Sequence, residues 1–213
     1  MSFSIPFPGL NEKFTEVDIT LAEVKIWYHV YCTEWHPMKA DSFNLGWGDT
    51  RFAPLLDAGG TSIHTYYAAS TTECAFMESV LHDVPLSPPG HFEVERLKHY
   101  HLVTLKLRAD ITAVSFHTPY LPKLNLNRGQ LIDSLPAYYE QTRAWSQAAY
   151  LQMPDTQAIA YCSRRDDSAR CVMLFGHRLT APPFDVISDE SLSTGMRRAE
   201  ILKLIRRLEI YEI

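Results

Sequence analysis

The chain has 213 residues, of which 46% are hydrophobic and 12% aromatic, and its formal net charge at pH 7 is −5. This composition excludes a largely disordered chain, because disordered segments combine few aromatic residues with a high net charge. The acidic balance disfavours direct nucleic-acid binding, which relies on Lys and Arg against phosphate. We therefore expect a folded protein of one domain, or of two small ones.

The cysteines and the N-terminal segment indicate the compartment. Four cysteines are present, none of them in a CxxC pair: Cys32, Cys74, Cys162 and Cys171. The segment before residue 20 contains Pro6 and Pro8 instead of a basic and then apolar signal. No apolar run approaches the roughly 20 residues that span a bilayer. We expect a cytoplasmic protein with free thiols and no membrane association.

The first third of the chain predicts an arm, two strands and a long loop. Residues 1–20 are expected to form the arm, and residues 26–31 and 63–68 are rich in the aromatic and β-branched residues typical of strands. Residues 36–62 are rich in glycine, proline, asparagine and aspartate. A loop of this length in a compact domain is usually either functional or wrongly assigned, and the charged and aromatic residues in this one favour a function.

The next segment predicts a helix that carries an acid. Residues 70–73, Ser-Thr-Thr-Glu, match a capping box with Glu73 at its third helical position, and a helix is expected over residues 71–82. Glu73 is therefore interpreted as structural. Helical geometry places Glu78 on one face with residues 75 and 82, so Glu78 is expected to point toward the packed side.

The second half of the chain continues to mix strands and helices. Residues 102–107 and 112–116 predict strands, residues 134–153 a helix with proline in its first turn, and residues 158–164 with 171–175 a hairpin. Because strands and helices follow one another without strict βαβ alternation, the predicted fold class is α+β.

The C-terminal residues predict an amphipathic helix. Apolar residues at 201, 204, 205 and 208 alternate with arginine and lysine. We expect it to pack on the domain with its charges in solvent; a partner-binding surface is the alternative. The predicted organisation is an arm at 1–20, a domain at 21–187 and this helix at 188–213.

Three residues are candidates for chemistry. Arg51 lies in the glycine-containing loop, where its planar guanidinium can bind a phosphate through two nitrogens; a surface ion pair is the alternative. A partly buried Glu78 requires a partner or a function, because an unpaired buried carboxylate costs several kcal/mol. Ser163 has no Gly-x-Ser-x-Gly elbow and is interpreted as a hydrogen-bonding or turn-forming serine.

Two adjacent tyrosines provide a further candidate. Tyr66 and Tyr67 alternate across their strand, so one faces the core and the other is able to stack on a planar ring.

The histidines do not predict a metal site. His99 and His101 share a strand face, and Cys32 lies four residues before His36, but neither pair has a third ligand at a recognised spacing. Walker-type and GxGxxG nucleotide motifs are also absent.

An ordered set of short motifs resembles the RES domain family, which is named for its Arg, Glu and Ser. The likeness spans roughly residues 26–175. It rests on Gly-Asp-Thr-Arg-Phe-Ala-Pro ending at Pro54, Tyr-Tyr-Ala-Ala-Ser ending at Ser70, Ala-Phe-Met-Glu-Ser-Val around Glu78, and Tyr-Cys-Ser-Arg-Arg-Asp around Ser163 with Cys-Val-Met-Leu-Phe ending at Phe175.

The resemblance implies a fold, an activity and a set of roles. RES proteins are typically NAD-degrading toxins with an ADP-ribosyltransferase-like fold, partnered by an antitoxin with an Xre-like DNA-binding region. By resemblance Arg51 would bind the pyrophosphate, Tyr66 would stack on nicotinamide, Glu78 would stabilise the reacting ribose, and Ser163 would hydrogen-bond nicotinamide or its ribose. His29 stands where many members carry an arginine and would be a weaker phosphate-binding cation.

The function expected from the resemblance is cleavage of the nicotinamide–ribose bond, as a glycohydrolase or phosphorylase. NAD is then the substrate, and neither a cofactor nor a metal is required. Transfer of ADP-ribose to a protein and non-catalytic nucleotide binding are the alternatives. The expected partner is an antitoxin or an immunity protein, and a homo-oligomer remains open.

Overall fold

The computed structural model describes residues 4–181 and 183–213, which form an α+β fold, as predicted. The strands are β1 (Glu16–Ile19), β2 (Ile26–Cys32), β3 (Leu55–Leu56), β4 (Ser62–Ile63), β5 (Thr65–Ala69), β6 (His91–Phe92), β7 (Tyr100–Leu107), β8 (Ile111–Ser115), β9 (Ala158–Cys162), β10 (Arg170–Phe175), β11 (Phe184–Ser191) and β12 (Tyr211–Glu212). The helices are α1 (Thr72–Met77), α2 (Arg128–Leu131), α3 (Tyr139–Gln152) and α4 (Gly195–Arg207), with short 3-10 turns between elements.

Eight strands form one mixed sheet in the order β1-β8-β9-β10-β5-β2-β7-β11. Neighbouring strands of this sheet are antiparallel, except β8 and β9, which are parallel. The junction of β2 and β5 is paired only at Tyr28 and Ala69, whereas β2 pairs with β7 along its whole length. The sheet is therefore split between β2 and β5.

The two faces of the sheet cover separate hydrophobic clusters. The larger cluster contains Phe76 of α1, Trp145 of α3 and Ile201 of α4. The smaller one, on the opposite face, contains Trp27 and Leu105. Because both faces are covered, the central strands are buried on both sides, and side chains that follow each other along a strand enter different clusters.

The strand predictions are confirmed. The segments predicted at 26–31, 102–107 and 112–116 correspond to β2, β7 and β8, and the predicted hairpin is formed by the antiparallel pair of β9 and β10. The segment at 63–68 lies in β4 and β5, which are separated by one residue. The helix predicted at 134–153 begins as a 3-10 turn over Pro136–Tyr138 and continues as α3.

The predicted capping box at residues 70–73 is wrong. Thr71 is the N-cap, and its hydroxyl accepts a hydrogen bond from the Cys74 amide at 3.1 Å. Ser70 is occupied elsewhere, because its Oγ accepts from the Arg170 amide at 2.9 Å. Glu73 pairs with Arg207 of α4, so its role is structural, though not through the predicted cap.

Helix α1 is also shorter than predicted. It ends at Met77, and turns cover the residues that were expected to continue it to residue 82. Glu78 is the C-cap, and its amide donates to the carbonyl of Cys74 at 2.9 Å. The turns then bury Leu81, whose amide donates to the carbonyl of Phe76 at 2.9 Å.

The predicted boundaries at residues 20 and 187 do not separate structural units. Strand β1 lies within the predicted arm but is the edge strand of the main sheet. The arm is also anchored at Ile5, which is buried in the larger cluster, and at Pro6, whose carbonyl accepts from the Trp145 indole at 2.8 Å. Strand β11 runs across the second boundary because it pairs with β7, so the C-terminal helix begins at residue 195 rather than 188.

Helix α4 packs through its apolar face. Ile201, Leu204 and Ile205 are buried in the larger cluster, whereas Lys203 is exposed. The chain then returns to pair β12 with β6 in parallel. The helix is therefore part of the core of the fold, as the amphipathic pattern predicted.

This packing predicts a large difference between two substitutions in α4. Ile201→Ala removes a fully buried side chain and is expected to lower the free energy of unfolding by about 3 kcal/mol. Lys203→Ala changes an exposed position and is expected to stay within about 0.5 kcal/mol. Urea unfolding of the two variants and the wild type measures both values; equal stabilities would show that α4 is not part of the core.

Candidate active site

A cavity of about 690 Å³ opens at the split between β2 and β5. Its walls come from β2, from the loop at residues 36–62, from β5, and from α1 with the turn that follows it. Lining residues from these elements include His29, Trp47, Thr50, Arg51, Phe52, Tyr67, Glu78 and His82. The long loop therefore contributes directly to the cavity.

Arg51 carries a buried charge that has no counter-ion in the part of the chain that the structure describes. The residue is 6% exposed, and its Nε and Nη2 have no hydrogen-bond partner among the described residues. The backbone is held by Thr142, whose hydroxyl donates to the Arg51 carbonyl at 2.6 Å, and the guanidinium lies 5.6 Å from the ring centre of Tyr139. Because an unpaired buried charge is strongly unfavourable, this arrangement fits a site for an anionic ligand.

Glu78 faces the same cavity and is held by Ser163. The Ser163 hydroxyl donates to Glu78 Oε1 at 2.5 Å and accepts from the amides of Arg165 and Asp166 at 2.9 and 3.0 Å. A serine hydroxyl has one proton and two lone pairs, so these three bonds fill its capacity. Ser163 is fully buried. It therefore orients the carboxylate, and the predicted bond from Ser163 to a ligand is not supported by this geometry.

The structure places Tyr66 away from the cavity, contrary to the prediction. Its side chain lies in the smaller cluster, its hydroxyl donates to the carbonyl of Ala40 at 2.7 Å, and its ring stacks on His29 with centres 4.1 Å apart. Tyr67 lines the cavity instead. The alternation of the two tyrosines was predicted correctly, and the assignment between them was wrong.

Tyr67 connects the charged groups of the site. Its hydroxyl lies 3.2 Å from Thr50 Oγ1. Burial raises the pKa of Tyr67 well above its usual value, while the hydrogen bond to Thr50 and the charge of Arg51 act in the opposite direction and the charge of Glu78 adds to the increase. Tyr67 is therefore a neutral phenol, and both Arg51 and Glu78 lie near enough for their charges to act on it.

His29 is not the cation that was expected. Its Nδ1 lies 2.6 Å from the carbonyl of Tyr67, and since a carbonyl only accepts, Nδ1 carries the proton. Burial lowers the pKa of His29 to about 4, with this hydrogen bond and the charge of Asp189 partly opposing the shift. The ring is therefore neutral at pH 7. The hydrogen bond from the ring to the Tyr67 carbonyl connects β2 with β5 where the two backbones are not paired.

Two further residues of the site were missed in the sequence. Thr50 contacts Tyr67 through their hydroxyl groups, and no sequence pattern distinguished it from its neighbour Arg51. Arg165 donates to the carbonyls of His82 and Val84 at 2.9 and 2.5 Å, which fixes the turn after Glu78 to the loop that carries Ser163. The only signal for Arg165 was its position in a run of charges after a strand.

Two of the histidines considered as ligands have other contacts. His101 Nδ1 lies 3.0 Å from Asp189, and His36 stacks on Trp47 with ring centres 3.6 Å apart. Among residues 4–181 and 183–213, no three His, Cys, Asp or Glu side chains are grouped so that they could hold a metal ion. The described helices include none with the length and apolar character of a membrane span.

Comparisons with known proteins agree with this fold. The family model described as RES domain matches residues 26–193. A chain of the crystal structure of the M. tuberculosis MbcT–MbcA toxin–antitoxin complex is similar with a TM-score of 0.62 and 13% identity, over 90% of this chain and 91% of that chain. A search of curated proteins finds no match.

The unpaired charge of Arg51 predicts that this residue lowers the free energy of unfolding of the ligand-free protein. Arg51→Met is expected to raise the free energy of unfolding by about 1 kcal/mol, because it removes a buried cation and keeps the apolar stem. Arg143→Met is the matched control, because the Arg143 guanidinium is already paired with Asp49 of the same loop. Inorganic pyrophosphate should raise the Tm of the wild type and not that of Arg51→Met; equal increases in both would contradict an anion site at Arg51.

The neutral His29 predicts a loss of stability in acid. Its folded pKa of about 4 lies below the ordinary value of 6.5, so the unfolded chain binds more protons between these pH values. The free energy of unfolding should therefore decrease as the pH falls through this range, by up to about 3 kcal/mol. Urea unfolding of His29→Asn should show a smaller decrease, whereas the exposed control His91→Asn should follow the wild type. A decrease as large in His29→Asn as in the wild type would contradict the assignment.

Proposed function

The chain belongs to the RES domain family, and from that membership and the site we propose that it degrades NAD by cleaving the bond between nicotinamide and ribose. The observation that carries the proposal is the buried guanidinium of Arg51, which lacks a counter-ion among the described residues and shares one cavity with the carboxylate of Glu78. A pyrophosphate supplies the missing anion, and the ribose beside it is the group on which a carboxylate would act.

The cavity is large enough for a dinucleotide. Its volume of about 690 Å³ lies within the range of small-molecule sites, about 300–1,000 Å³. The aromatic residues Trp47, Phe52 and Tyr67 line it and offer surfaces for planar rings. In this arrangement Tyr67, rather than Tyr66, is the residue we propose to contact nicotinamide.

Glu78 would act by charge. Cleavage of the bond between nicotinamide and ribose passes through an oxocarbenium-like state, in which positive charge develops on the sugar. A carboxylate held beside the sugar stabilises that charge, and it is also placed to orient an attacking water. Nicotinamide leaves as a neutral ring, so no acid is needed to protonate it. Water then bonds to the ribose carbon and releases a proton, giving ADP-ribose.

Ser163 would contribute through Glu78. Its hydroxyl is saturated by Glu78 and two amides, so its effect on the reaction is to hold one carboxylate oxygen in place. Positioning of this kind affects the rate of the chemical step more than substrate affinity, because a group displaced by a fraction of an ångström stabilises the transition state less well.

Nicotinamide release from NAD by the purified protein tests the proposal. The wild type is expected to release nicotinamide, and Glu78→Gln to lower kcat by at least about 100-fold because the neutral amide cannot stabilise the sugar cation. Ser163→Ala is expected to lower kcat with a smaller effect on KM. Ser168→Ala, in the exposed part of the same loop, is the matched control and should behave as the wild type.

Other outcomes would contradict the proposal or change the reaction assigned. No release by a folded wild type, or equal release by Glu78→Gln, would contradict the proposal. Dependence of the rate on inorganic phosphate would identify a phosphorylase instead of a hydrolase. Labelled NAD that leaves its label on proteins of a cell lysate would identify ADP-ribosyl transfer.

We further propose that the chain is the toxin of a toxin–antitoxin pair. The support is family membership together with a fold similar to a chain of a toxin–antitoxin complex. An antitoxin would act by covering the cavity. Trp35 lines the cavity and is 75% exposed, so it is a suitable contact for such a partner. Expression in a bacterium is expected to arrest growth, and Glu78→Gln is expected to relieve the arrest. The neighbouring reading frames would show whether the partner is an antitoxin or an immunity protein.

A further inference from the structure

His29 lines the cavity and carries a hydrogen-bond acceptor that has no partner among the described residues. The ring is 9% exposed, lines the cavity and is fixed by its Nδ1–H bond to the carbonyl of Tyr67 and by stacking on Tyr66. The other nitrogen, Nε2, is buried and has no partner among the described residues. Because Nδ1 carries the proton of the neutral ring, Nε2 has a free lone pair. A buried acceptor without a partner is unfavourable, so a ligand donor is the natural complement.

The chemistry of this acceptor excludes a phosphate as its ligand. An ionised phosphate offers only acceptor oxygens, whereas Nε2 requires a donor. A dinucleotide carries two kinds of donor, the hydroxyls of its riboses and the amino groups of adenine and nicotinamide. His29 therefore cannot take over the phosphate-binding role of a cation at its position.

His29 lies away from the Arg51 and Glu78 end of the cavity. Its ring stacks on Tyr66 of the smaller cluster, whereas Phe52, next to Arg51, belongs to the larger cluster. The charges of Arg51 and Glu78 act on the Tyr67 hydroxyl, whereas the charge that acts on His29 is that of Asp189. Asp189 is held by the Tyr31 hydroxyl at 2.9 Å and by His101 at 3.0 Å. If the pyrophosphate binds Arg51 and the nicotinamide ribose faces Glu78, the adenosine half is left for His29.

We propose that Nε2 of His29 accepts a hydrogen bond from a hydroxyl of the adenosine ribose, and that this contact makes the site select NAD over NADP. The two hydroxyls of that ribose are neighbours, so the 2′-phosphate of NADP either removes the donor or lies beside it. The same phosphate would bring a further negative charge into the field of Asp189. This inference rests on the proposed function and specifies which dinucleotide the site takes.

Binding and turnover of NAD and NADP by three proteins test the proposal. The wild type is expected to prefer NAD by at least about 100-fold in kcat/KM, since a site built to bond a hydroxyl rejects ligands that lack it. His29→Asn keeps an amide N–H close to the position of Nδ1 and removes Nε2. It should weaken NAD binding by about 10-fold, mainly through KM, and reduce the preference to about 10-fold. His29→Gln, whose amide extends to the position of Nε2, should retain more of the preference than His29→Asn.

The outcomes separate this inference from the proposed function. A wild type that neither binds nor cleaves NAD contradicts the function. A wild type that cleaves NAD and NADP equally, or a His29→Asn protein that keeps the full preference, leaves the function intact and overturns the role of His29. Thermal unfolding and circular dichroism identify variants that fail to fold, and if His29→Asn is among them, His29→Gln and the wild-type preference decide the question.

One analogue distinguishes the two kinds of donor. Nicotinamide hypoxanthine dinucleotide replaces the amino group of adenine by a carbonyl and keeps the ribose hydroxyls. If the wild type rejects this analogue and His29→Asn accepts it as well as NAD, the donor is the adenine amine and the assignment to a ribose hydroxyl is wrong. Equal Kd ratios between the analogue and NAD in both proteins support the ribose hydroxyl.

Discussion

The positive charge of Arg51 is the constraint on which the rest of the site depends. A guanidinium that is 6% exposed and lacks a counter-ion among the described residues is tolerated only if the surrounding structure holds it in place. The fold does so through Thr142 of α3, which binds the Arg51 carbonyl, and through the ring of Tyr139 at the start of the same helix. The free energy lost by burying the charge is recoverable when an anion binds, so the apo protein is less stable than its packing would allow.

The split between β2 and β5 brings groups from both faces of the sheet into one cavity. Tyr67 contributes to both parts, because its hydroxyl lies among Thr50, Arg51 and Glu78 while its backbone carbonyl holds His29. If β2 and β5 paired along their length, the Tyr67 carbonyl could accept a backbone hydrogen bond from β2, and the bond from the His29 ring would not be needed. Tyr67 therefore links the charged part of the site to its neutral part across the open junction.

The sequence predicted the elements better than it predicted contacts between them. Period-two alternation and β-branched residues located the central strands, and turn-forming residues located the loop at 36–62, which lines the cavity. Alternation alone could not decide which of Tyr66 and Tyr67 faces the cavity, since both faces of the sheet are covered. The partner of Ser163 is 85 residues away in the sequence, so its saturation by Glu78 and two amides had no local signal. The neutral state of His29 follows from burial, which a single histidine in a strand does not reveal.

By its resemblance to RES proteins, the chain carries His29 where many members have an arginine, and a neutral residue there fits the proposed division of charge in this site. Arg51 already provides a buried cation, which we propose binds a pyrophosphate, and Asp189 receives hydrogen bonds from Tyr31 and His101. An arginine at residue 29 would lie in the field of Asp189 and would be drawn into an ion pair with it, which leaves less of its charge for a ligand. A neutral ring avoids that competition, and in the proposed binding mode it accepts a hydrogen bond from a ribose hydroxyl while Arg51 binds the pyrophosphate.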